Sequence, residues 1–335
     1  MSVTELFDIS GTEEQTSLQL TADGRLKHLL TLQGLDRSHI SALLDDAETY
    51  LSDTGCPVVR SDALQGKTVA NLFFEPSTRT RASFELAANR LGADVLNLDV
   101  NTSSRKKGES ILDTIYTLQA MQVDVFVVRD AQAGIPAYIA RHAADHVSIL
   151  NAGEADQSHP TQGLLDLLTI RRRKGSFEGL KVAIVGDIAH SRVARSAAEG
   201  LVTMGVSDLR LIAPDALSPT PGTVPPAARV MTSLDEGVKD ADVVMALRIQ
   251  RERIVNLDGI PGVDEYFASY GVTHERMKLA APNAIVMHPG PMNRGIEIES
   301  SLADSPCSAI TEQVRHGVAV RMSVLAAVSA TQDAR

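Results

Sequence analysis

Short, strongly apolar, β-forming runs recur along this chain, each followed by helical spacing, and that alternation leaves few folds open. Thr68 to Phe74 reads as a buried strand. A helical pattern then starts near Thr78, with Phe84, Ala87 or Ala88, and Leu91 on one face, and Gly92 closes it. A second apolar run, Val95 to Val100, follows. Strand, helix, strand is the pattern of a right-handed parallel crossover. The same reading predicts strands over Asp124 to Val128, Val147 to Leu150, Leu180 to Val185, Leu209 to Ala213, Ala241 to Leu247 and Ala284 to Met287. It predicts helices over Leu35 to Leu51, Glu109 to Met121, Thr161 to Arg173, from near Ser191, and from Thr311 to Ser329. Residues 1–24 are polar and weakly patterned and read as an arm or loose tail. Arg171 to Ser176 reads as a polar break and domain boundary, and 254–272 as a long mobile loop.

Composition removes whole classes of function. The net charge is −10 over 335 residues, which leaves no general basic surface for nucleic acid. Cys56 and Cys307 have no ligand-like spacing, so neither a disulfide framework nor a zinc site is expected. The N-terminus is polar and acidic rather than basic then apolar, and no apolar run is long enough to span a membrane. The chain therefore reads as a soluble cytoplasmic protein. Its length and 44% hydrophobic content suit two domains with sizeable cores.

The residues that carry chemistry fall at predicted strand ends. Ser77, Thr78, Arg79 and Thr80 stand where a strand gives way to a helix, so N–H groups and the positive dipole end favour an anion there. Two hydroxyls and an arginine fork at that place suit a phosphate, although Ser and Thr also cap helices routinely. Asn101 to Ser110 is a polar, cationic loop that includes Lys106 and Lys107; it reads either as solvated surface or as a loop closing on an anion. His159 and Gln162 share a face at a helix entrance that Pro160 fixes. The turn Gly186-Asp187 lacks Gly-x-Gly-x-x-Gly, which disfavours a dinucleotide site. Ser77, Arg129, His159, Arg192, Arg248 and His288 all follow predicted strands at their carboxyl ends, the edge where open parallel sheets bind ligands. Cations, hydroxyls, amides and a histidine or two would stabilise developing negative charge. They are poorly suited to covalent catalysis, and a substrate with its own leaving group, such as an acyl phosphate, fits them.

Ser77-Thr78-Arg79-Thr80-Arg81 together with His159-Pro160-Thr161-Gln162 resembles the carbamoyltransferases, over about residues 25–330. Within that family Lys106-Lys107, Arg248-x-Gln250-x-Glu252-Arg253 and His288-Pro289-Gly290-Pro291 resemble the catalytic chain of the aspartate-specific members. Neither the His-Cys-Leu-Pro stretch nor the Asp-x-x-x-Ser-Met-Gly loop expected of ornithine-specific members is present. The resemblance implies an α/β fold of two domains, each a parallel sheet flanked by helices, joined by two interdomain helices. Residues 1–24 would be an arm, 25–160 with 312–335 would bind carbamoyl phosphate, and 161–311 would bind aspartate.

By the same resemblance, Ser77, Thr78, Arg79, Thr80 and Arg129 would hold the phosphate. Arg79, Thr80 and His159 would polarise the carbamoyl carbonyl, and Gln162 with the Gly290-Pro291 backbone would hold its NH2. Arg192, Arg248 and Gln250 would bind the aspartate carboxylates, with Lys107 reaching both substrates. Ser103 and Lys107 would come from a neighbouring subunit of a homotrimer with shared sites. No metal or cofactor is implied. A dihydroorotase-like or regulatory chain is the partner that the N-terminal extension suggests. An amine acceptor such as ornithine, or a non-catalytic carbamoyl phosphate-binding subunit, is the alternative reading. Val193 stands where some members have Thr, and Gly290-Pro291 replaces a Pro-Leu seen in other members.

Overall fold

The computed structural model describes residues 12–52, 59–98, 110–250 and 259–333. Contacts divide the chain into two units, Met1–Thr161 with His316–Arg335, and Gln162–Arg315. Both divisions fall inside helices, so two helices run from one unit into the other.

The first unit opens with α1 (Thr12–Gln19), so residues 12–24 are not the loose tail that their composition suggests; residues 1–11 lie outside the described residues. Gln19 is fully buried. Its Oε1 accepts from the N–H groups of Leu30 (2.8 Å) and Thr31 (2.9 Å), and its Nε2 donates to the Gln33 carbonyl (3.1 Å). One amide thereby satisfies three backbone groups, a role that hydrophobic periodicity cannot signal. In α2 (Arg37–Thr49) Asp36 supplies the cap, accepting from the His39 N–H at 2.9 Å. Ile40, Leu43, Leu44 and Ala47 form its buried stripe. Fully burying each of the larger ones contributes about 1.5–3 kcal/mol.

There follow β1 (Thr68–Phe73), α3 (Thr78–Arg90), β2 (Asp94–Leu98), α4 (Ile111–Ala120), β3 (Val125–Asp130), α5 (Ile135–His142) and β4 (Ser148–Glu154). The sheet order is β2-β1-β3-β4, parallel throughout. In the second apolar run Asp94–Leu98 forms an edge strand that is largely exposed, and residues 99–100 lie outside the described residues. Arg129 lies within β3 instead of ending it. Helix α5 carries no long apolar period; Gly134, at φ 81°, and Pro136 start it, and Ile135, Ala137, Ile139 and Ala140 bury it.

Helix α6 (Pro160–Lys174) carries the chain into the second unit. Arg171 to Lys174 do not break the chain. They form its last turn, where cations oppose the negative end of the helix dipole, and the break begins at Gly175.

The second unit contains β5 (Lys181–Val185), α7 (Arg192–Thr203), β6 (Asp208–Ile212), β7 (Arg229–Met231), α8 (Leu234–Val238), β8 (Val243–Ala246), α9 (Val263–Tyr270), α10 (His274–Met277), β9 (Ile285–Met287) and α11 (Ser300–Ala303). Its sheet order is β7-β6-β5-β8-β9, again all parallel. Within the stretch expected to be a long loop, residues 263–270 are helical. Helix α9 buries Tyr266 and stacks it on Tyr270 at 5.5 Å between ring centroids; residues 251–258 lie outside the described residues. Two turns anchored by one aromatic are too short to show a helical period. Burial, with Glu297, Asp187 and Tyr270 adding to it, raises the pKa of the Tyr266 hydroxyl.

The last helix, α12 (Ile310–Asp333), begins in the second unit and ends in the first. Within the first unit, Ser323 donates to the Leu43 carbonyl (2.8 Å), and Gln332 donates to the Asp124 carbonyl and to Ser148 Oγ (both 3.0 Å). These bonds tie the chain's end to α2 and to the amino ends of β3 and β4. Among the described residues, no helix is long and apolar enough to cross a membrane.

Candidate active site

In the first unit the predicted phosphate-binding residues gather at the carboxyl ends of β1, β3 and β4. Ser77 is the N-cap of α3, in extended conformation (φ −157°, ψ 94°), but its side chain caps no helix N–H. Its hydroxyl donates to Thr80 Oγ1 at 3.0 Å instead. The ordinary capping role is therefore not what Ser77 does, and the first-turn N–H groups of α3 have no side-chain cap. Thr78 and Arg79 are exposed, while Thr80 is buried.

Arg129 is buried and held from two sides. Nη1 donates to the Ala152 carbonyl (3.0 Å), and Nη2 pairs with Glu75 Oε1 (3.3 Å). The Arg129 carbonyl accepts the Phe74 N–H (2.8 Å), which fixes the turn leading to Ser77. His159 is delivered by a tight turn at the end of β4, in which the Glu154 N–H donates to the Ser158 carbonyl (3.0 Å). The Glu154 carboxylate anchors that turn by accepting from the Gly134 N–H (2.8 Å) and Asn151 Nδ2 (3.0 Å). His159 is buried, and Pro160 begins α6 directly after it. Ser103, Lys106 and Lys107 lie outside the described residues.

In the second unit the sites cluster at the carboxyl ends of β5, β8 and β9. Gly186 sits at φ 135°, and an added Cβ would lie 2.4 Å from the Leu247 carbonyl oxygen, so only glycine fits. Next to it, Asp187 is fully buried. Its Oδ1 accepts from the His190 N–H (3.1 Å) and pairs with His190 Nδ1 (2.8 Å), and its Oδ2 accepts from the Gln250 N–H (3.1 Å). Gln250 Nε2 donates in turn to the His190 carbonyl (2.9 Å). One carboxylate thus ties the turn after β5 to the turn after β8.

Arg192 is the first residue of α7, behind the capping hydroxyl of Ser191, and it is buried. A buried cation at a helix start opposes the dipole and is well placed to meet an anion. Arg195, one turn on, is buried as well and donates from Nη2 to the Ala189 carbonyl (3.2 Å). Arg248 follows β8 and is half-buried.

Gln162 is buried in α6, and its Nε2 donates to Asp166 Oδ1 at 3.0 Å. After β9, His288 Nδ1 accepts the Gly290 N–H (2.8 Å), so the ring proton resides on Nε2, which donates to Glu297 Oε1 (3.1 Å). Glu297 Oε1 also accepts the Asn293 N–H, so the turn carrying Gly290 and Pro291 is clamped from both sides.

The sequence reading missed the residues that hold these groups: Glu75, Glu154, Asp166, Asp187, Arg195, Glu297 and Gln313. Only Asp166, four residues after Gln162, had a readable signal, because i,i+4 places two side chains together on a helix. Asp187 and Glu154 also hold the near neighbours His190 and Asn151, but the bonds from Asp187 to Gln250, from Glu154 to Gly134 and from Glu75 to Arg129 arise only through tertiary structure. Among the described residues, no three His, Cys, Asp or Glu side chains gather as a metal site.

Residues 27–172 match the family model described as the aspartate/ornithine carbamoyltransferase carbamoyl-P binding domain, and residues 178–328 match its Asp/Orn binding domain. Aspartate transcarbamoylase from Trypanosoma cruzi, solved in complex with carbamoyl phosphate and aspartate, is 33% identical to this chain. The match covers 93% of this chain and 99% of that one, with a TM-score of 0.81. The same enzyme in complex with N-(phosphonacetyl)-L-aspartic acid matches at a TM-score of 0.81, over 93% and 98% of the two chains, also at 33% identity. Ornithine carbamoyltransferase from Thermus thermophilus is 28% identical over 90% of this chain and 98% of that one, at a TM-score of 0.79. With both family domains matched in order and a similar fold of two parallel sheets, this chain belongs to the aspartate/ornithine carbamoyltransferase family.

Proposed function

We propose that this chain transfers the carbamoyl group of carbamoyl phosphate to the amine of L-aspartate, giving N-carbamoyl-L-aspartate and phosphate for pyrimidine synthesis. The observation that carries the reading is chemical. One unit gathers hydroxyls, an uncapped helix start and a fixed arginine at its sheet edge, which suits a phosphate. The other gathers Arg192 and Arg248 at its own, which suits a dicarboxylate better than the cationic side chain of ornithine. The 33% identity to an enzyme solved with carbamoyl phosphate and aspartate supports the same acceptor.

In this reading Ser77, Thr78, Arg79, Thr80 and Arg129 bind the phosphate. Arg79, Thr80 and His159 stabilise the carbonyl oxygen as negative charge grows on it. Gln162 and the Gly290-Pro291 backbone take the carbamoyl NH2, and Arg192, Arg248 and Gln250 take the carboxylates of aspartate. The amine nitrogen attacks the carbonyl carbon and the carbon–oxygen bond to phosphate breaks. The departing phosphate accepts the amine proton, so no separate protein base is required. Residues 25–160 with 312–335 would form the carbamoyl phosphate domain, residues 161–311 the aspartate domain, and residues 1–24 an arm toward a dihydroorotase-like or regulatory chain. Ser103 and Lys107 would reach a neighbouring site in a cytoplasmic homotrimer, Lys107 contacting both substrates.

The test is turnover of carbamoyl phosphate with L-aspartate and L-ornithine offered separately. N-carbamoyl-aspartate alone is expected; carbamoyl-ornithine instead would overturn the acceptor. His159 acts here as a hydrogen-bond donor, and removing one such donor typically costs about 100–1,000-fold in kcat. His159→Ala, which removes the donor, is expected to lose roughly 100-fold of kcat on that basis. Near-full turnover in that variant would end any essential role for the imidazole.

A further inference from the structure

We infer that Asp166 and Gln313 set the hydrogen-bonding polarity of the carbamoyl-amine subsite and thereby make it select an NH2 group over a methyl group. The inference rests on the proposed function, because it takes Gln162 and the Gly290-Pro291 turn as the groups that meet that amine.

Asp166 and Gln313 are 1% and 2% exposed. Asp166 Oδ1 accepts from Gln162 Nε2 at 3.0 Å and from Gln313 Nε2 at 2.8 Å. A carboxylate oxygen only accepts, so both amides must turn their NH2 groups toward it. The consequence for Gln313 is visible, since its Oε1 accepts the His288 N–H at 2.9 Å. The consequence for Gln162 is that its carbonyl Oε1 is left to meet a donor, and it takes no hydrogen bond from the described residues. His288 begins the turn that carries Gly290 and Pro291, held on its far side by Glu297. A single buried carboxylate therefore orients the Gln162 acceptor directly and, through Gln313, anchors the backbone turn.

A ligand NH2 donates, whereas the methyl group of acetyl phosphate leaves the Gln162 carbonyl unpaired. Sites built around such a bond reject the analogue that lacks it. Without Asp166 the Gln162 amide is free to rotate, and its NH2 competes with its carbonyl for the same place. Asp166 and Gln313 are positioning residues, and neither is assigned contact with substrate.

The experiment measures Kd for carbamoyl phosphate, acetyl phosphate and inorganic phosphate by competition in the full chain, alongside turnover with aspartate. Asp166→Leu is expected to lower the preference for carbamoyl over acetyl phosphate roughly tenfold, the worth of one oriented hydrogen bond. Inorganic phosphate should bind unchanged. Asp166→Asn retains an Oδ1 acceptor and is expected to retain the preference. If Asp166→Leu fails to fold, Gln313→Met carries the test, with an expected loss of roughly threefold or more, a fraction of one hydrogen bond. An unchanged preference in these variants would overturn the inference, as would equal weakening of all three ligands, which marks a purely structural role. A wild-type chain that makes N-carbamoyl-aspartate without preferring carbamoyl phosphate would overturn the inference and leave the function standing. A chain that makes no such product overturns the function itself.

Discussion

Replacing Arg79 by alanine is expected to lower kcat by about 100–1,000-fold while leaving the melting temperature almost unchanged, because one preorganised donor to a developing oxyanion is typically worth that much. The two effects separate for a structural reason. Arg79 is exposed in the first turn of α3, behind the extended Ser77, so truncating it removes little buried surface. Alanine is the strongest helix former, so the helix itself is not weakened. Arg129 makes the useful contrast. It is buried, bonded to the Ala152 carbonyl and paired with Glu75, so truncating it would confuse catalysis with stability. Steady-state kinetics and thermal unfolding of Arg79→Ala are the check. Normal turnover, or a melting temperature that falls in step with activity, would overturn the assignment.

The second large effect is expected at Gly186. Gly186→Ala places a Cβ 2.4 Å from the Leu247 carbonyl oxygen and 3.0 Å from the Leu247 Cβ, at a φ of 135° that L side chains rarely adopt. Backbone strain and overpacking together predict a loss of about 2–5 kcal/mol. The contact is between backbones of neighbouring strands, because the Leu247 N–H donates to the Val185 carbonyl at 2.7 Å, and neither can yield without opening the sheet. Asp187 follows directly and holds the Gln250 N–H, so a displaced turn also moves Gln250. A variant that still folds should need much more aspartate for half-maximal rate while binding inorganic phosphate normally. Thermal unfolding with aspartate titrations distinguishes this from a general loss of structure. Unchanged stability would show that the close approach is not a real constraint.

Both variants sit in motifs visible in the sequence, but the reasons they matter were not equally visible. The dipole argument for Ser77 to Thr80 needed only a strand followed by a helix. Even so, the sequence could not distinguish a hydroxyl that caps the helix from one that bonds Thr80, since both obey the same local chemistry. In the sequence Gly186 reads as part of a turn, but its necessity depends on Leu247, which is 61 residues away and adjacent only because β5 pairs with β8.

By itself the sequence determined the alternation of strand and helix, the first parallel crossover, and which cations and hydroxyls lie near strand ends. Those follow from local periodicity and from the handedness of crossovers. It does not show Thr12–Gln19, α5 or α9 as helices, because each is short or is held by one buried amide or one aromatic. Only the tertiary structure supplied the long-range bonds behind the site. Asp187 bridges the turns of two strands, Asp166 and Gln313 join residues 147 apart, and Glu297 clamps the turn after β9. A hydrogen bond between residues distant in sequence leaves no periodic trace. It exists because burial makes an unpaired polar group costly, so the folded chain must bring a partner to it.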